Sequence, residues 1–72
     1  MNRRFTAIVE SEGSCYVAFC PEVDVASQGE SVTEARENLA EALTLLFESA
    51  SVDEIERQRE EIYVTQIEVE VG

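Results

Sequence analysis

"CPEVDVASQGESVTEA", residues 20–35, sets the order strand, break, strand, helix within one short stretch. Cys20 closes an apolar run, and Pro21, which has no N–H, ends regular ladder pairing there. The segment "DVAS" (24–27) then reads as a short third strand at a sheet edge, with Gln28 and Gly29 forming the turn out of it. Ser31, Val32, Thr33 and Glu34 spell a capping box: Ser31 is the N-cap, and Glu34 reaches back to the chain entering the helix.

Downstream, the helix is predicted over 32–48. Val32, Ala35, Leu39, Ala42, Leu43, Leu46 and Phe47 fall on one stripe, and Glu34, Glu37, Asn38, Glu41, Thr44 and Glu48 fall on the other. Ser51 followed by Glu54 repeats the cap signature and predicts a short polar helix over 53–60. "IYVTQIEVEV" (62–71) alternates as a long strand. Tyr63, Thr65, Ile67, Val69 and Val71 make one face, and Ile62, Val64, Gln66, Glu68 and Glu70 make the other.

Upstream, "CYVAFC" (15–20) is a strand rich in aromatic and β-branched residues, "SEGS" (11–14) is a turn, and "RRFTAIVES" (3–11) is a strand. A hairpin whose two-residue loop is Glu12-Gly13 pairs 10 with 15, 8 with 17 and 6 with 19. One face then carries Thr6, Ile8, Glu10, Cys15, Val17 and Phe19, and the other Phe5, Ala7, Val9, Tyr16, Ala18 and Cys20. The second face is uncharged and contains two alanines, which let a helix approach closely, so the long helix belongs there. The expected architecture is α+β in a single domain over 1–72: a three-stranded antiparallel meander, a long helix, a short second helix, and a final strand parallel to the first. This gives the strand order 3-2-1-4 through a right-handed crossover.

One helix cannot cover both faces of a sheet. Ile8, Val17 and Phe19, joined by Ile62 and Val64 of the last strand, are therefore the candidate interface, for a second copy or a partner. The chain has 72 residues and a formal net charge of -11, with five arginines, no lysine and no histidine. Such a surface repels phosphate backbones, which argues against direct nucleic-acid binding, and attracts basic proteins. Glu34, Glu37, Glu41 and Glu48 line up along the helix as a candidate acidic partner face.

Cys15 and Cys20 point to opposite faces of one strand, so they do not pair with each other. Without histidine they suggest neither a zinc site nor an activated nucleophile. No leader and no run long enough for a membrane span is visible, so a reduced, cytoplasmic protein is expected. No cofactor is expected either. The paired carboxylates, among them Glu10, Glu68 and Glu70, read as solvated surface rather than as a metal-dependent catalytic set.

The stretches "YVAFCPE" and "VASQGESVTEARENLAEAL" resemble the HicB-like antitoxin family. The matching residues are Ala18, Pro21, Glu22, Gly29, Glu34, Ala35, Asn38, Leu39, Glu41 and Ala42. The resemblance covers residues 5–48, and the tail "EIYVTQIEVEVG" is similar to that of short, stand-alone members. It implies a degenerate RNase H-like fold without nuclease activity, because the first strand "FTAIVE" has no central aspartate. It also implies a role as a non-catalytic interaction module, a homodimer that occludes a small basic RNA-cleaving toxin of the HicA type. The chain stops after the last predicted strand, where longer members carry a DNA-binding domain, so operon autorepression is not expected of it. The alternative is a small homodimeric regulatory or ligand-binding protein with no toxin partner.

Overall fold

The computed structural model describes residues 3–72; of the single domain read over 1–72, residues 1 and 2 lie outside it. Three strands, β1 (Ile8–Glu12), β2 (Cys15–Cys20) and β3 (Val25–Gly29), form an antiparallel meander in the order β1-β2-β3. Helices α1 (Val32–Ser49) and α2 (Val52–Gln58) follow. The class is α+β, as the sequence predicts.

The hairpin loop sits one residue further along the chain than expected. Glu12 faces Cys15, Glu10 faces Val17 and Ile8 faces Phe19, so the loop is Gly13-Ser14 and not Glu12-Gly13. Gly13 adopts φ +62° and takes the first central position, where a tight hairpin places a positive-φ glycine. The correction moves each partner by two residues, an even step, so both faces keep their predicted membership. Between β2 and β3 the chain turns through Pro21–Asp24, with Asp24 in the left-handed region at φ 57°, which aspartate tolerates better than most residues.

Helix α1 covers the predicted face. Ala18 and Cys20 of β2 meet Ala35 and Leu39 in a fully enclosed cluster, and Val9, Tyr16, Val25 and Leu43 pack around it. Phe5 and Phe47 close one end, with ring centroids 5.6 Å apart. The Ser31 hydroxyl accepts the Glu34 N–H at 3.0 Å, while the Glu34 carboxylate accepts from the N–H of Glu30, one residue before the position a standard capping box uses. Ser51 caps α2 in the same manner, accepting the Glu54 N–H at 3.1 Å. Helix α2 buries a single residue, Ile55.

The fourth strand is the main departure. Residues 62–71 pair with no strand of this chain, and the expected 3-2-1-4 order with a parallel last strand is not formed. Instead residues 60–72 carry no secondary structure and, apart from half-buried Ile62, are exposed. The dimensions show it: the radius of gyration is 14.4 Å and the long axis 51 Å, where a compact chain of this length has a radius of about 11 Å. With Arg59 held at the Arg4 carbonyl, a parallel strand would bring residue 68 level with the Gly13 turn, so Glu68 and Glu70 would overrun the end of β1.

Gly29 ends β3 directly against the first turn of α1. A Cβ there would sit 2.5 Å from the Ala35 backbone nitrogen and 2.8 Å from the Glu34 carbonyl carbon, and backbone has little room to move. Gly29→Ala should therefore lower stability by about 1–3 kcal/mol through overpacking. Urea denaturation monitored by circular dichroism measures this, and a variant as stable as the parent would show that the helix is free to retreat.

Candidate functional site

The helix leaves the opposite face of the sheet uncovered. Ile8 of β1 stands opposite Phe19 of β2, with Val17 one pair further along the same face. Ile8 is 38% exposed, and Val17 and Phe19 are half-buried. β3 adds exposed Ala26 and Gln28, which pair with Phe19 and Val17. Of the five predicted interface residues, these three are brought together. Ile62 is half-buried and lines one cleft with Phe19, while Val64 belongs to the outstretched tail and lies away from the patch.

That cleft, of about 510 Å³, opens at the end of β2 where α1 finishes and α2 begins. Phe19, Pro21, Val23, Leu46, Ile55 and Ile62 form its apolar wall. The predicted acidic face is also present as a surface: Glu34, Glu37, Glu41 and Glu48 are all exposed along α1. Among the described residues no group of three acidic or cysteine side chains is placed to hold a metal ion. No helix among them is long and apolar enough to cross a membrane.

The most connected polar residue lay among the resemblance positions without an assigned role. Glu22 is 5% exposed, the one buried polar side chain among the described residues. Pro21 sits where the ladder would next supply a partner for Thr6, and it ends the pairing. The Glu22 carboxylate takes over, accepting the Thr6 N–H at 2.9 Å and the Thr6 hydroxyl at 2.8 Å. The Cys20 thiol donates to it at 3.4 Å, and the Arg59 guanidinium stands 3.7 Å away. The Glu22 carbonyl accepts the Glu60 N–H at 2.9 Å. Arg59 also donates to the Arg4 carbonyl and lies over the Phe5 ring, 4.4 Å from its centroid. The sequence signal for this cluster is weak: a glutamate directly after a strand-ending proline, with its partners 16 and 37 positions away.

Burial pushes the Glu22 carboxyl up, but the hydrogen bonds from Thr6, from its own backbone and from Cys20 outweigh it and hold the group below the ordinary glutamate value. Burial likewise pushes the Cys20 thiol up, and the Glu22 carboxylate adds to the shift. Both cysteines are free.

Comparison of the chain with family models, with curated proteins and with solved structures returned no match.

Two outcomes follow from the Glu22 cluster. Because the folded-state value is depressed, its stabilising contribution is whole above the ordinary glutamate pKa and is lost as pH falls through the lower folded value. Glu22→Gln should cost about 1–3 kcal/mol at pH 7, and the gap to the parent should close on acidification. Urea titrations at a series of pH values test this, and a gap that stays constant into acid contradicts it. With an aromatic disulfide reagent at neutral pH, half-buried Cys15 should react in the native protein and Cys20 only after unfolding. Equal rates for the two thiols would show that the core opens readily.

Proposed function

We propose that the protein is a non-catalytic interaction module of the HicB-like antitoxin kind, with a degenerate RNase H-like core. It acts in the cytoplasm and self-associates as a homodimer. Its activity is occlusion: it covers the RNA-binding and cleaving surface of a small basic toxin and performs no turnover of its own.

The observation that carries this reading is the open sheet face. Ile8, Val17 and Phe19 lie together on the face opposite α1, with Glu10 facing Val17 and Phe19 also lining the cleft at the end of β2, on a chain whose net charge is -11. An apolar patch on an acidic body suits a basic partner: charge steers the encounter, and burial of the patch holds the complex. The glutamate row on α1 widens the acidic surface. The residue pattern around Pro21–Glu22 and Gly29–Ala42, which carries the family resemblance, supports the choice of partner class.

A second reading is supported by the cleft at the end of β2. With an apolar wall and the acidic groups of Asp24, Glu54 and Glu60 at its rim, it has the dimensions of a small-molecule site, in a regulatory homodimer without a toxin.

The test begins with affinity purification from the native cell. The expected result is a small basic protein whose RNA cleavage in vitro is abolished by an equimolar amount of this chain. Phe19→Asp should restore cleavage, and added salt should weaken the complex. Absence of any basic RNA-cleaving partner, together with a ligand-dependent rise in melting temperature, would favour the second reading instead.

A further inference from the structure

The tail and the edge of β1 have complementary deficits. Along the tail Tyr63, Ile67 and Val71 are 79%, 84% and 90% exposed, and Val64 and Val69 also lie in water. Meanwhile β1 is an edge strand, and alternate residues of such a strand turn N–H and C=O groups outward without partners. The other edge, β3, is less available, because Asn38 of α1 already donates to the Gln28 carbonyl at 2.8 Å.

Continuing the line of β1 toward the start of the chain, a groove of about 560 Å³ runs between residues 3–7 and α1. Phe5, Ala7, Leu43 and Phe47 supply its apolar lining. Arg3, Arg4 and Arg36, three of the five arginines in the chain, stand along it. Glu37 is the one acidic group in the lining, and Arg3 also pairs with Glu56 at 3.0 Å, so the groove is an apolar slot with an excess of positive charge on an otherwise acidic molecule. Tail residues 62–71 match it: the odd face is wholly uncharged, and the far end carries Glu68 and Glu70.

Direction decides which tail fills the slot. A chain's own tail starts at the foot of β1, where the Glu60 N–H is held by the Glu22 carbonyl and Arg59 by Arg4. From there it could only run parallel to β1, and with Arg59 level with Arg4 its Glu68 and Glu70 would overrun the end of β1 at Glu12, far from the arginines of the groove. A tail arriving from another molecule can enter from the opposite end and run antiparallel. Its Ile62 and Val64 then lie beside Glu12 and Glu10, and its Glu68 and Glu70 reach the end marked by Arg3 and Arg4.

We propose that two copies exchange tails: residues 62–71 of each protomer add as an antiparallel fourth strand to the β1 edge of its partner, with Ile67, Val69 and Val71 seated in the groove between residues 3–7 and α1. Two such reciprocal strands bury on the order of 1,500 Å² in total, the size of a standard specific interface. The inference deepens the self-association part of the proposed function and is independent of any toxin. Because each copy carries -11, exchange is opposed by net charge and should strengthen with salt, the reverse of toxin binding.

The experiment uses the full chain in size-exclusion chromatography with light scattering across a concentration series, together with hydrogen exchange. The expected result is a particle of twice the 8.0 kDa chain mass, with slowed exchange over 62–71 and at those amides of 8–12 that β2 leaves free. Ile67→Pro removes a ladder donor outside the folded body, so it should keep the native circular dichroism while weakening the dimer on the order of 100-fold. Phe19→Ser, on the open face, should remain dimeric. A monomer at all concentrations overturns the exchange, whether its tail is free or folded back on its own β1. So does a dimer that survives Ile67→Pro, or protection confined to 62–71, as a tail-to-tail pair would give. A dimer lost in Phe19→Ser but kept in Ile67→Pro would overturn the exchange and leave the open-face reading standing.

Discussion

The Glu22 carboxylate joins parts of the chain that the backbone ladder cannot. Pro21 stops β2 from pairing with the residues before β1, and the side chain one position later supplies the missing acceptor for Thr6. The same residue meets the Cys20 thiol in the core, the Arg59 guanidinium after α2 and, through its carbonyl, the Glu60 N–H where the tail begins. A charge with so little exposure is costly unless hydrogen bonds satisfy it, and this one gathers them from several segments. The foot of the sheet, the end of α2 and the root of the tail therefore depend on one another.

That dependence shapes what the molecule presents to others. By fixing Arg59 and Glu60 beside the start of β1, the cluster determines where the tail departs. By closing the sheet on one side with α1 alone, the fold leaves two apolar features open: the patch of Ile8, Val17 and Phe19, and the groove between residues 3–7 and α1. A domain of this length buries a smaller share of its surface than a larger one, so unsatisfied apolar area of this kind is an incentive to associate. The two features serve different ends. The patch faces outward on an acidic body, whereas the groove is flanked by arginines and matches an acidic strand.

Local chemistry was legible wherever a residue acts on its near neighbours. The two serine caps, the amphipathic stripe of α1, the end of β2 at Pro21 and the membership of the two sheet faces all follow from spacing within a few positions. The hairpin loop was misplaced by one residue because Gly13 fits either central position by composition, and the backbone twist of the flanking strands decides between them. Glu22 carried no assigned role, since nothing near it in the chain announces Thr6 or Arg59. Val64 was grouped with Ile8, Val17 and Phe19 on the assumption that its strand lay beside β1.

By itself the sequence determined which segments are extended and which are helical, and which side of the meander the helix covers, because alternation, capping and small-residue placement act over short range. The partner of residues 62–71 it left open. Alternation marks a segment as extended but carries no information about whose edge completes its hydrogen bonds. Only the tertiary structure, which anchors Glu60 at Glu22 and leaves the residues after it unpaired, decided that this strand does not close its own sheet.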